Sequence, residues 1–140
     1  MRFNNFWCYR RILFSRGFAS ALWHSRQNLL AYAQGRPLVA GPYMAELDIT
    51  YRCNSRCHMC QRWNDPRRDE LSLAEYQKLA RVLHEMGSHQ ISIAGGEPLL
   101  REDVFPIIDC FTGRKMSVNL CTNGLLLSQY VDEICQSGIS

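Results

Sequence analysis

Residues 43–60 read YMAELDITYRCNSRCHMC, an alternating run that passes straight into three cysteines. In its first half Ala45, Leu47 and Ile49 alternate with Met44, Glu46 and Asp48, the period-two pattern of a half-buried β-strand. In its second half Cys53, Cys57 and Cys60 stand at C-x3-C-x2-C spacing. A strand that ends in a thiol-rich loop suits a fold whose chemistry gathers at strand ends.

The same unit recurs downstream. Ser72 with Glu75 three residues later forms a capping box, and Leu73, Tyr76, Leu79, Leu83 and Met86 mark one helical face that Gly87 closes. His89–Ala94 (HQISIA) predicts a second strand, ending at Gly95-Gly96-Glu97-Pro98. Residues 104–111 predict a helix, with Pro106 in the first turn where it is tolerated and Gly113 past the end. Residues 116–122 (MSVNLCT) predict a third strand, ending at Asn123-Gly124. Ser128 is expected to cap a last helix carrying Tyr130, Val131, Ile134 and Cys135, with Gly138 as its stop.

Strand and helix alternating three times predict parallel α/β architecture with crossover helices. In such folds the active site lies at the carboxyl ends of the strands. Here those ends carry CNSRCHMC, GGEP and TNG. Three strands cannot close a barrel of about eight. Residues 43–140 are therefore expected to be the first three βα units of a partial, TIM-like barrel, the N-terminal part of a larger domain incomplete at its C-terminus.

Upstream, residues 1–42 predict a separate basic, helical extension. Phe14, Phe18, Leu22, Leu29 and Leu30 follow a helical period, and Gly35, Pro37, Gly41 and Pro42 mark the boundary. Residues 1–45 contain six arginines and no acid, whereas residues 46–140 hold ten basic and thirteen acidic residues, so the basic character of the chain belongs to this extension. Three readings stand open: a helix docked on the domain, a peripheral membrane contact through a basic amphipathic surface, and an Arg- and Ser-rich targeting segment. No recognised nucleic-acid-binding module accompanies the arginines.

The chain has seven cysteines, an odd number, and no secretory pattern, which points to a reducing, cytoplasmic compartment rather than a disulfide framework. Cys110 and Cys135 fall on predicted helices and Cys121 near a strand end, where small apolar filling is the usual role; Cys8 lies in the extension. His84 and His89 bracket a helix end and are expected at the surface. Arg52, Arg56 and Arg62 flank the cysteine loop, where solvated surface charge is the usual role.

Three thiols on one loop can hold a compact metal centre. Structural zinc wants four ligands, usually as two separated pairs, and His58 beside Cys57 is badly placed to complete such a set. A 4Fe–4S cube also generally takes four cysteines, and three would leave one iron open to a small molecule. Plain reduced thiols are the remaining alternative. The glycines of GGEP permit close backbone approach, and Glu97 offers an acceptor to an ammonium group; TNG alone is a turn signal.

Taken together and in this order, CNSRCHMC, GGEP and TNG resemble the radical S-adenosylmethionine (radical SAM) enzymes, over roughly residues 43–140. The resemblance implies that Cys53, Cys57 and Cys60 each ligate one iron of a 4Fe–4S cluster, and that the open iron takes the amino and carboxylate groups of S-adenosylmethionine. It implies that Gly95, Gly96 and Glu97 hold the methionyl ammonium, and that Thr122 and Asn123 lie near the cofactor. Met59 occupies a position that in the family is often aromatic and lies by the adenine. The activity implied is reductive cleavage of S-adenosylmethionine to a 5′-deoxyadenosyl radical that abstracts hydrogen from a substrate, with a one-electron donor such as a flavodoxin or ferredoxin. A non-enzymatic zinc-binding module and an inactive truncated remnant are the alternatives.

Overall fold

The computed structural model describes residues 16–36 and 41–139, with side chains from residue 22 onward. Of the sequence expectations, Cys8, Phe14 and the side chain of Phe18 lie outside the described residues. The elements are α1 (Arg16–Ala33), β1 (Met44–Thr50), α2 (Leu73–Glu85), β2 (Gln90–Gly95), α3 (Val104–Thr112), β3 (Ser117–Leu120) and α4 (Val131–Gln136). No helix among them is long and apolar enough to cross a membrane.

The alternation read in the sequence sets the sheet. Its order is β1-β2-β3 and both pairings are parallel. Leu47 stands beside Ile93, and Ile93 beside Leu120, so one row of apolar side chains crosses all three strands. Helices α2 and α3 cover that face. Ile49, Ile91, Ile93 and Val118 from the sheet meet Tyr76, Ala80 and Leu83 of α2 and Val104, Ile107, Ile108 and Phe111 of α3. Burying each large apolar side chain contributes about 1.5–3 kcal/mol, and this cluster holds the layers together.

The opposite face is polar. Glu46, Ser92 and Asn119 stand side by side across the three strands, with Asp48 one step above. No lysine or arginine occurs within the strands. A sheet that is half apolar and half polar follows from strict alternation in β1 and β3, whereas β2 is buried along most of its length.

Local signals explain most element boundaries. The Glu75 carboxylate accepts from the N–H (2.8 Å) and the hydroxyl (2.7 Å) of Ser72, which fixes the start of α2. Gly87 at φ +85° ends the turn beyond it. Its Cα faces the His24 imidazole of α1, which leaves no room for a Cβ. Of the face predicted for α2, Met86 is exposed at the C-cap and takes no part in the core. Ser128 does not cap the last helix. It lies in a 3-10 turn, Leu127–Gln129, and α4 starts at Val131 after Tyr130, because the Gly124 loop first tightens into i→i+3 bonds.

Candidate functional site

The segment between β1 and α2 carries all three cysteines of CNSRCHMC. Cys53 is half-buried, while Cys57 and Cys60 are exposed, and none is crosslinked. The loop turns on itself through Cys60 N–H to Cys57 O (3.2 Å), and the Ser55 N–H points at Cys53 Sγ (3.5 Å). Thiols are soft donors suited to iron–sulfur chemistry and to zinc alike. Among the described residues no three His, Cys, Asp or Glu side chains are grouped so as to hold a single metal ion. Met59 projects into solvent, 93% exposed.

Glu97 is the most buried carboxylate of the site, 0% exposed. Its Oε1 accepts from Leu99 N–H (3.0 Å) and from the Thr122 hydroxyl (2.8 Å), and its Oε2 accepts from Asn123 N–H (2.8 Å). A buried carboxylate left unbonded is costly, and three neutral donors satisfy this one. The Asn123 side chain then donates from Nδ2 to Asn54 Oδ1 in the cysteine loop (2.7 Å). GGEP, TNG and CNSRCHMC are thus one hydrogen-bonded chain across the three strand ends.

The two glycines before Glu97 lie against the outgoing end of β1. Gly96 N–H donates to Thr50 O and Glu97 N–H to Arg52 O, both at 2.8 Å. A Cβ at Gly95 would come within 2.5 Å of Thr50 O, and one at Gly96 within 2.1 Å of Arg52 O. The close approach for which glycine is needed is therefore to neighbouring backbone.

Below the cysteine loop lies a buried ionic network that sequence reasoning did not find. Arg101, 7% exposed, donates to Ile49 O, Leu71 O and the Asp103 carboxylate, and faces Glu70. Glu70 in turn accepts from the Thr50 hydroxyl (2.5 Å) and Tyr51 N–H (3.3 Å). The Arg101 guanidinium holds the Asp103 carboxyl below its ordinary range, and Asp103 raises Arg101 in return. In the sequence Leu100-Arg101-Glu102-Asp103 reads as solvated charge; its proximity to GGEP was the only available signal.

Of the flanking arginines, Arg62 bonds Asp48 on the polar face of β1 (2.5 Å), Arg56 lies over Trp63, and Arg52 sits 3.7 Å from Glu70. Cys110 is buried, as read, and burial pushes its thiol up. Cys135 and Cys121 are exposed instead of filling a core, because α4 is short and β3 ends before Cys121; Cys121 Sγ lies 3.4 Å from Ser92 Oγ. His84 is exposed, but His89 is half-buried with its ring against Tyr43.

Comparison with known proteins places these features in context. The model of the Radical SAM superfamily matches residues 47–140. A protein of Methanopyrus kandleri named "Probable GTP 3′,8-cyclase" is 42% identical over 94 residues, which is 66% of this chain and 30% of that protein. The chain spans about a third of the length of the curated relatives it matches. Among solved structures, BtrN in complex with AdoMet and 2-DOIA superposes with a TM-score of 0.61 at 24% identity, covering 69% of this chain and 42% of that one. Streptococcus suis SuiB bound to S-adenosylmethionine gives 0.64 at 17% identity, covering 93% and 32%. The open three-stranded sheet with its helices has the fold of part of those barrels.

Proposed function

Because the chain belongs to the radical SAM superfamily, a family of enzymes that bind a 4Fe–4S cluster and S-adenosylmethionine, we propose that residues 43–140 form its cluster-bearing core and residues 1–42 a distinct extension. The thiols of Cys53, Cys57 and Cys60 would hold the cluster. When bound, cluster and S-adenosylmethionine together supply a reducing electron and a 5′-deoxyadenosyl radical for hydrogen abstraction.

The protein's own residues then have definite tasks. Cys53, Cys57 and Cys60 supply three soft donors from one loop, which leaves a fourth position for a cofactor. Glu97 holds the 122–124 turn, and through Asn123 that turn holds Asn54 beside Cys53. With both carboxylate oxygens already engaged by Leu99, Thr122 and Asn123, Glu97 would serve the methionyl ammonium by holding the strand-end segments together, with Gly95 and Gly96 beside it in the chain. Thr122 and Asn123 line the same rim, and Met59 is free to close over an adenine. The observation that carries the reading is the hydrogen-bonded chain from Glu97 to Asn123 to Asn54, which joins all three strand-end motifs.

The curated relatives are named for a triphosphate substrate. On this chain the polar sheet face carries Glu46, Asp48, Ser92 and Asn119, and the arginine that reaches it is already paired with Asp48. Among the described residues of that face no unpaired cation stands ready to meet a triphosphate. The one-electron donor is proposed to approach the exposed cysteine loop, where Arg52 and Arg56 present positive charge to an acidic flavodoxin or ferredoxin. The basic, acid-free extension is proposed to dock on the domain, since His24 of α1 lies against Gly87 and Ala31 is buried; peripheral contact with membrane surfaces is the alternative.

Anaerobic reconstitution tests the central reading. The expected result is about four irons per chain and, after reduction with S-adenosylmethionine, 5′-deoxyadenosine. Cys57→Ala should abolish both. Stoichiometric zinc with no iron uptake would establish the zinc module instead, and a full cluster in the Cys57→Ala protein would overturn the ligand assignment.

A further inference from the structure

The connection from Tyr51 to Glu70 carries every proposed cluster ligand, and above its base it is tied to the rest of the fold at few points: Asn54 to Asn123, Arg62 to Asp48 and Arg52 O to the Glu97 N–H. Its one regular element is the 3-10 turn Arg62–Asn64, in a connection longer than the roughly 12–15 residues usual for loops. Its internal hydrogen bonds are local: Cys60 to Cys57, Asn64 to Gln61, Asp65 to Arg62, and the exposed Arg67–Asp65 pair. Exposed pairs of this kind contribute little order.

The base of the loop is different. Arg101 reaches it from the segment after GGEP, and each of its five N–H groups faces an acceptor. Nε and one Nη2 hydrogen meet Asp103 (2.6 and 3.1 Å), the other Nη2 hydrogen meets Leu71 O (2.5 Å), and Nη1 meets Ile49 O (2.7 Å) and Glu70 Oε2 (3.5 Å). Ile49 lies just before the loop and Leu71 just after it, so one planar guanidinium bridges both stems. Glu70 closes the same gap from the other side. It accepts from Thr50 and Tyr51 on the outgoing stem while belonging to the returning one. Tyr76 places its ring beneath Arg101 at 5.3 Å. Arginine is needed for this, since lysine has three donors on one atom and no fork.

We propose that Arg101 and Glu70 form a clasp that closes the base of the cysteine loop and thereby sets the placement of its three thiols. They are positioning residues. Neither touches the thiols; they act through the stems, and so on the Ser55 N–H that faces Cys53 Sγ. A hydrogen bond to a cluster sulfur is one of the factors that set a cluster's potential, so the clasp governs potential as well as order. The second half of this statement rests on the radical SAM reading above, and the first half does not.

The test uses the 140-residue chain with Arg101→Lys, Glu70→Ala and Glu70→Gln. Hydrogen exchange of the metal-free protein should quicken at least tenfold for the hydrogen-bonded loop amides of Arg52, Ser55 and Cys60, while Ile91 and Ile93 in β2 keep their parental rates. Glu70→Gln, which retains an acceptor for Thr50 and Tyr51, should fall between Glu70→Ala and the parent. After reconstitution the cluster midpoint should move to more negative potential in the same rank order. Loop exchange unchanged in Arg101→Lys, or quickened equally in β2, would overturn the clasp. Quickened loop exchange with an unchanged midpoint would overturn its positioning role. A parent chain that takes up no cluster would defeat the assignment of Cys53, Cys57 and Cys60 as its ligands, while the exchange data would still decide the clasp.

Discussion

Replacing Gly96 by alanine is a sharp test of how the site is held together. The added Cβ would lie 2.1 Å from Arg52 O, 2.7 Å from Arg52 C and 3.0 Å from Tyr51 O. All three are backbone atoms, so no side chain can swing aside. Ordinary C···O contacts begin near about 3.3 Å, and the end of β1 must move away by about 1 Å. That motion breaks Gly96 N–H to Thr50 O and Glu97 N–H to Arg52 O, each worth about 1 kcal/mol. Overpacking adds about 1–3 kcal/mol, for a total loss of about 3–5 kcal/mol. Gly124→Ala is the control. Gly124 has φ +82°, but its Cβ would meet only Leu127 Cδ1 at 3.5 Å, so the cost is the left-handed backbone alone, about 1–2 kcal/mol. Urea unfolding followed by circular dichroism measures both. The reasoning is refuted if Gly96→Ala unfolds within about 0.5 kcal/mol of the parent, or no worse than Gly124→Ala.

Three further outcomes follow from the same geometry. Glu97→Gln places an amide NH2 against the N–H of Asn123 or Leu99 and should cost about 1–3 kcal/mol, read from the urea midpoint; an unchanged midpoint would mean that the carboxylate is not needed as a triple acceptor. Asp103 has a depressed carboxyl in the folded chain, held there first by its hydrogen bonds to Arg101. Its contribution is therefore complete above the ordinary carboxylate range, about 3.9, and is lost as pH falls through the folded value. Asp103→Asn should flatten that part of the acid-unfolding curve, and an identical curve would count against the pairing. Asp65 is lowered to about 2 by its hydrogen bonds to Arg67. Carboxyl NMR titration should return it toward the normal range in Arg67→Gln, with no measurable change in thermal midpoint.

The strands, the helix start at Ser72 and the gathering of three motifs at one edge were legible in the sequence because each rests on short-range pattern. Alternation fixes a strand, and a capping box fixes a helix start whatever surrounds it. The network of Arg101, Glu70 and Asp103 was not legible, because it joins chain segments far apart that look like ordinary surface charge until the fold brings them together. Glu97 illustrates a subtler limit. The sequence shows an acid beside two glycines and suggests a ligand group in open space, whereas the fold buries it and gives it three backbone and hydroxyl donors. The thiols divide on the same principle: Cys110 has a helix neighbour to cover it, and Cys135 sits on a helix too short to bury anything.

The bonds that hold the cysteine loop reach far along the chain. Asn54 is tied to a residue 69 positions later, and Ile49 to one 52 positions later. During synthesis every cysteine of CNSRCHMC therefore emerges well before Arg101 and Asn123, two of the residues that hold the loop. Contacts of such separation form late, after the loop-closing entropy has been overcome. Iron delivered to the nascent chain would meet three unordered thiols, whereas iron delivered after β3 has joined the sheet would meet a finished cradle. If these thiols hold the proposed cluster, its insertion would follow assembly of the sheet.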